Sequence, residues 1–434
     1  MIKIFKYTDK DFNEEVLTAE QAWVPDPSIE NSAAEILAEV RKNGDAAVIA
    51  FTEKFDGVAL DKDSLEVTAD EIDKAYNSIS GEFKDHLKAI ASNIEKFQRK
   101  RIESSWECIQ DGDIKVSQIE RPVSRVGLYV PGGTAPLVST VLMSAIPAKV
   151  AGVKDIIVVS PPTENGDIHP KILAACKISG VNRVFRTGGA QAIGALAYGT
   201  ETIRKVDVIA GPGNAYVTAA KRQVFGIVGI DMVAGPSEIL IIADDTARAD
   251  YIAADMLSQA EHDSRARTFL LTPSEELAVS VQKQIDTQLS ALTREETAVE
   301  SIDNRSAIFQ VKDLAEAVVV ANKIGPEHLE LVVSNPDSFI DRIQNAGAIF
   351  VGQYTPEAVG DYIAGASHVL PTNGTSRFFS ALSVENFVKR INVINCSAEG
   401  LSFWEKTILE IANTEGLDAH ARSVSIRRKK NEDN

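Results

Sequence analysis

Apolar residues along this chain change their spacing near Arg125, from helical periodicity to short unbroken runs. Before that point, EILAEVRKNGDAAVIAFTEKFDG puts Ile36, Leu37 and Val40 on one face and is punctuated by Gly44 and Gly57. That is the pattern of amphipathic helix with glycine stops, and the first hundred or so residues read as helical with few strand signals. From Arg125, apolar β-rich runs (RVGLYVP, DIIVVSPP, RVFRTGG, VDVIAGPG) alternate with helical ones (TVLMSAIPAKVAG, PKILAACKISG, AQAIGALAYG, NAYVTAAKRQVFG). A second series follows: ILIIADD, ARADYIAADMLSQAEHD, TFLLTP and SEELAVSVQKQIDTQL. These strands are apolar throughout, as strands covered by helices on both faces must be.

The fold class expected is therefore α/β, with two Rossmann-like doubly wound parallel-sheet domains and helical N-terminal and C-terminal extensions. The boundaries expected are residues 1–124 for a helical N-terminal region packing on the second α/β domain, 125–237 for the first α/β domain, 238–376 for the second, and 377–434 for a C-terminal helical extension. A chain of 434 residues is too long for one ordinary core and accommodates this division.

The net charge of −17 argues against a nucleic-acid partner, which needs a basic face. The run KFQRKR is read as a solvated helix face, and the terminal SIRRKKNEDN as a frayed tail. Cys108, Cys176 and Cys396 are far apart and form no CxxC, so neither a disulfide framework nor a zinc knuckle is suggested. No apolar run approaches membrane-spanning length, and MIKIFKYTDKDF lacks a signal-peptide core. A reducing, cytoplasmic setting without a membrane partner is the expectation.

Chemistry concentrates in two kinds of place. Three strand ends run into glycine turns: VPGGTAP, TGGAQAIG and AGPGNAYV. Each lets backbone N–H groups approach an anion, although none is GxGxxG. Three in one block point to a nucleotide or anion cleft. The second place is the company kept by four of the six histidines, His262, His328, His368 and His420, whereas His86 and His169 are ordinary. In SQAEHD, Gln259 and His262 lie about one helical turn apart, in a row with Asp255, and can aim two donors at one cation. Glutamine is a poor ligand for structural zinc and suits an open, exchangeable site better. In IGPEHLELVV, Pro326 breaks the preceding helix, which leaves Glu327 and His328 on a loop entering a strand. There they can serve as two acid/base groups, and a merely charged surface loop is an equal reading.

The segments FTEKFDGV, RVGLYVPGGTAPLVSTVLMSAIPAKVAGV, GGAQAIGALAYGTETI, GPGNAYVTAAKRQVFG, GIDMVAGPSEILIIAD, SQAEHD, GPEHLEL, VGDYIAGASHVLPT and EGLDAHARSV stand in this order along nearly the whole chain. With them the sequence resembles the histidinol dehydrogenase family. The resemblance implies NAD-dependent four-electron oxidation of L-histidinol, through L-histidinaldehyde, to L-histidine, the last steps of histidine biosynthesis. It implies one zinc ion per subunit, positioning the substrate and held by Gln259, His262, Asp361 and His420, with Glu327 and His328 as the acid/base pair. Ser237, Gln259, His262, His328, Asp361, His368, Glu415 and His420 match substrate-binding positions, and Tyr129, Gln191 and Asn214 match NAD contacts on the first α/β domain. It further implies a homodimer whose C-terminal segment reaches the partner's site. The runner-up is a zinc- and NAD-dependent relative acting on another small alcohol, such as a sulfonated diol. A zinc hydrolase without NAD is disfavoured by the three glycine turns. Phe378 and Phe379 in NGTSRFFSALSVENFVKR depart from the family pattern.

Overall fold

The computed structural model describes residues 1–20, 26–102, 105–132 and 136–428. The N-terminal segment supplies β1 (Lys3–Lys6), α1 (Phe12–Glu20), α2 (Pro27–Asp56), α3 (Ala69–Ser78) and α4 (Gly81–Arg99), then β2 (Trp106–Gln110) and β3 (Ile114–Pro122). A first alternating series comprises β4 (Arg125–Tyr129), α5 (Val138–Ala151), β5 (Asp155–Ser160), α6 (Pro170–Ser179), β6 (Arg183–Arg186), α7 (Gly189–Tyr198), β7 (Val208–Ala210), α8 (Ala215–Val224) and β8 (Gly229–Ile230). The second opens with β9 (Glu238–Ala243), α9 (Ala249–Ala260), β10 (Arg267–Thr272), α10 (Glu275–Leu289), α11 (Glu295–Arg305) and β11 (Ala307–Gln310). It continues with α12 (Leu314–Ile324), β12 (His328–Val332), α13 (Asp337–Ile340), β13 (Ala348–Val351) and α14 (Glu357–Tyr362). The chain ends with β14 (Val388–Cys396), α15 (Ala398–Thr414) and α16 (Asp418–Arg428).

Both sheets of the larger unit (Met1–Arg101 with Val123–Phe387) are parallel, as the apolar runs require. The first has strand order β6-β5-β4-β7-β8 and the second β1-β11-β10-β9-β12-β13. Apart from β1 these are the same doubly wound order, which reverses beside β4 and beside β9 and opens a crevice at each reversal. Ile156, Ile157, Val158 and Val159 of β5 are at most 2% exposed, since helices cover both faces of the strand. Burying each such side chain contributes about 1.5–3 kcal/mol.

The helix α2 forms where the sequence provides Asp26, whose carboxylate accepts from the Ser28 N–H at 2.8 Å, and Pro27 in the first turn. It ends where Gly57 adopts φ 71°, and it kinks at Gly44 (φ 53°), a conformation open to glycine at little cost. Its buried stripe, Ile36, Leu37 and Val40, joins the core of the first sheet.

Three expectations need correction. The N-terminal helices α2, α3 and α4 pack on α7 and α8, α6, and α5 of the first sheet, and only β1 and α1 join the second. Their apolar stripes fit the outer helices of the first series, which periodicity alone does not reveal. The two extensions are also not wholly helical. A smaller unit, Ile102–Pro122 with Val388–Asn434, contains an antiparallel sheet of order β14-β3-β2. Here β2 and β3 form a local hairpin, but β14 lies far from β3 in sequence, so no local signal announces that pairing. Lastly, His328 is the first residue of β12, paired in register with Ile239 and Ala348, and not part of a loop. Gly325 (φ 63°), ahead of Pro326, caps α12.

Candidate active site

Glu327 and His328 stand at the N-terminal end of β12, beside the start of β9. The Glu327 backbone is pinned there: its carbonyl accepts from the Ala348 N–H at 3.0 Å. A Cβ on Gly347 would come within 2.5 Å of that oxygen, so the crossing tolerates only glycine. The Glu327 carboxylate accepts from the Glu238 N–H at 3.0 Å. Burial, and then the nearby carboxylates of Glu357, Glu238 and Asp361, push its pKa well above the ordinary range.

His328 is 3% exposed, and its Nδ1 lies 3.0 Å from the Glu238 carbonyl oxygen. A carbonyl only accepts, so Nδ1 carries the proton and Nε2 is left as a bare lone pair. Among the described residues Nε2 has no hydrogen-bond partner; it faces Glu357 Oε1 at 3.7 Å and Asp361 Oδ1 at 3.9 Å. Burial lowers the pKa of this imidazole.

Glu357 and Asp361 occupy successive turns of α14, which sets both carboxyls on one face. Donor atoms of His328, Glu357 and Asp361 all lie within 4.8 Å of one another, a grouping able to hold a metal ion. Burial is the main cause that pushes Glu357 up to about 8 and Asp361 up to about 7. Crowded carboxyls facing an unpartnered imidazole nitrogen form an arrangement that a cation relieves, so these residues fit a divalent metal. Gln259, on the last turn of α9 and 1% exposed, donates its amide to both Glu357 oxygens at 2.8 and 2.9 Å. His262, just beyond the end of α9, is exposed to solvent, yet surrounding protein atoms and the His328 ring lower its pKa. His368 is held with Nδ1 3.2 Å from the Asp361 carbonyl and Nε2 3.4 Å from Thr140 Oγ1 on α5. Burial lowers its pKa to about 4. Ser237 is half-buried immediately before β9.

Gln259, Glu327, His328, Asp361 and His368 are thus drawn together from three separate stretches of sequence. Glu415 and His420 belong to the smaller unit, where both are exposed. Glu357 is the residue that sequence reasoning missed. Its signal was an E-x-x-x-D spacing in EAVGD, which places two carboxylates on one helix face.

The first sheet presents a different site. Tyr129, Gln191 and Asn214 all line a cavity of about 1250 Å³ at the C-terminal ends of β4 and β7. The Tyr129 hydroxyl accepts from the Gly189 N–H at 3.2 Å, and burial raises its pKa to about 12. Asn214 caps α8, its Oδ1 accepting from the Tyr216 and Val217 N–H groups at 3.0 and 3.1 Å. Gln191 is 1% exposed, and its Oε1 has no partner among the described residues. Gly211 holds φ 112°, with its N–H on Asp231 at 2.7 Å and its carbonyl on the Lys221 ammonium at 2.9 Å. Two helix N-termini, those of α7 and α8, and an orphaned buried amide oxygen suit a phosphate-bearing dinucleotide. Residues 133–135 of the VPGGTAP turn lie outside the described residues.

Comparison with known proteins agrees with this geometry. The histidinol dehydrogenase family model matches residues 21–428. Histidinol dehydrogenase of Syntrophotalea carbinolica is 46% identical over 430 residues, covering 99% of this chain and 100% of that one. Histidinol dehydrogenase of Bacillus cereus is 49% identical over 409 residues, 94% of each chain. The crystal structure of histidinol dehydrogenase from Elizabethkingia anophelis superposes with a TM-score of 0.93 at 37% identity, covering 99% of both chains.

Proposed function

The chain belongs to the histidinol dehydrogenase family, and on that premise we propose that it oxidises L-histidinol through L-histidinaldehyde to L-histidine at the expense of two NAD. The observation that carries this reading is the bare Nε2 of His328, buried and aimed at the carboxylate cluster.

A carbinol carbon gives up hydride only as its oxygen loses a proton, so the reaction needs a base that is unprotonated near neutral pH. His328 supplies it. The Glu238 carbonyl locks the tautomer, and burial keeps the ring neutral. The second oxidation begins from an aldehyde hydrate, and Glu327 is assigned to take the proton of the adding water. Burial raises its pKa, which makes its carboxylate a stronger base than an ordinary glutamate.

Gln259, His262 and Asp361, with His420 supplied by a second copy of the chain, would hold one zinc ion. Bound there, zinc supplies a Lewis-acidic anchor for the substrate's amine and imidazole nitrogens. Ser237, His368 and Glu415 would complete the substrate's surroundings, and Tyr129, Gln191 and Asn214 would hold NAD. Bound NAD supplies the hydride acceptor, one equivalent for each oxidation. Fixing the carbinol carbon in place contributes on the order of 7 kcal/mol toward the barrier at best.

The test is stoichiometry. NADH formed per L-histidinol consumed is expected to be two. A yield of one would overturn the four-electron reading and leave a simple alcohol dehydrogenase.

A further inference from the structure

The cavity of the first sheet contains a feature that glycine turns do not explain. Its lining has four carboxylates, Glu35, Glu39, Asp56 and Glu164, and one cation, Lys54, among the described residues. An anion-binding crevice would ordinarily be balanced the other way. Within this lining the Oδ2 of Asp56 is buried without a hydrogen-bond partner among the described residues, as is the Oε1 of the almost fully buried Gln191. A buried acceptor left unmatched costs about 1–3 kcal/mol, so its retention calls for a ligand that donates to it.

Beside Asp56 on α2 the rings of Phe51 and Phe55 stack, centroids 5.7 Å apart and planes within 3° of parallel. Phe55 remains 52% exposed, and both rings line the cavity. An exposed aromatic face next to an unmatched acceptor is the pairing that a nucleoside requires: a shelf for the base and an acceptor for its ribose hydroxyls.

Resting on the reading that this crevice takes NAD, we infer that Asp56 selects NAD over NADP. Its carboxylate accepts a hydrogen bond from the adenosine ribose, where NADP carries a phosphate, and Glu35, Glu39 and Glu164 add repulsion against that phosphate. In the dinucleotide folds with GxGxxG, an acid after the second strand performs this task. Here the acid arrives from a helix preceding the sheet. Burial raises the pKa of Asp56, as befits a carboxylate still lacking its donor.

The experiment is fluorescence titration of the full-length protein with NADH and separately with NADPH, comparing wild type with Asp56→Asn and Asp56→Ser, with zinc content and thermal midpoint measured in parallel. Wild type is expected to bind NADH more tightly than NADPH. Losing a charge-assisted hydrogen bond should weaken NADH binding about tenfold or more. NADPH binding should be unchanged or tighter, so that the preference collapses. The midpoint should not fall, because Asp56 Oδ2 gives up no protein partner. NADH binding by both variants equal to wild type would overturn the inference, as would parallel losses of both nucleotides together with a lower midpoint. Wild type failing to bind NADH at all would overturn the NAD reading beneath it as well.

Discussion

A single hydrogen bond decides what His328 can do. Because Nδ1 donates to the Glu238 carbonyl, the opposite nitrogen is the basic one, and it points at the carboxylates. His328→Asn is therefore expected to lower kcat by about 10²–10⁴-fold while zinc content, measured by atomic absorption, stays at the wild-type level. Zinc lost along with activity would make His328 a ligand instead. The pH dependence follows from the same burial. The pKa of His328 lies below 6.5, so the base form prevails at neutral pH, and kcat/KM should fall as pH drops below 6.5 toward that lowered value. Glu357 at about 8 and Asp361 at about 7 carry the opposite sign. Both are raised, so the metal-free folded chain holds protons that the unfolded chain releases. That contribution to stability is present below the ordinary carboxyl range and is lost as pH rises through about 7 and about 8. A bound cation favours the ionised carboxylates and reverses the trend. Chelation should accordingly lower Tm more at pH 8 than at pH 6 in parallel melts; equal shifts would count against a metal at these carboxyls. Of these residues, His328, Asp361 and Gln259 were legible from motif resemblance. Glu357 was not, because a carboxylate in a short helix looks like any solvated acid until burial is known.

At the scale of elements, the glycine turn between β7 and α8 shows how a loop is made rigid. Asp231 and Lys221, both nearly inaccessible, clamp the two ends of the Gly211 peptide and form an ion pair with each other. Lys221→Met leaves the Asp231 carboxylate buried with its cation gone and should cost about 3 kcal/mol in denaturant unfolding. A loss below about 1 kcal/mol would show that Asp231 is satisfied by backbone N–H groups alone. Gly211→Ala should be worse than its size suggests, since the added Cβ would approach the Tyr129 carbonyl oxygen to 2.2 Å. The strands β4, β5 and β9 were readable because both faces of each are covered and the sequence shows an unbroken apolar run. By contrast β2 is exposed at every position and β14 at nearly every one. The β3–β14 ladder joins segments some 270 positions apart, such as Gln118 with Asn392. Local periodicity contains no trace of such a pairing.

Across the whole molecule, apolar side chains stand exposed on the smaller unit: Trp106, Ile109, Ile391 and Ile394, the last 71% exposed. Ile109 and Ile391 fall on one face of this sheet and Trp106 and Ile394 on the other, and exposed apolar surface of this kind favours burial against another copy. The expected mass by light scattering is twice the 46.9 kDa chain. On the proposal that a partner supplies His420, Ile109→Lys with Ile394→Lys should give monomers that retain NADH binding yet lose histidinol oxidation. Active monomers would refute that arrangement. Within the larger unit, the cavity of the first sheet opens at the C-terminal ends of its strands. Glu327 and His328, in contrast, lie at the N-terminal ends of theirs. Thr140 at the start of α5, reaching His368, ties the two edges together. Sequence by itself determined the parallel α/β series, the glycine turns and the residue types able to do acid/base and metal chemistry, because each is written in local periodicity or a contiguous motif. Only the tertiary structure decided that Glu357 joins His328, that Asp56 enters the first-sheet cavity, and that opposite edges of two sheets meet. Those outcomes depend on burial and on contacts between segments far apart along the chain, and no short stretch of sequence specifies either.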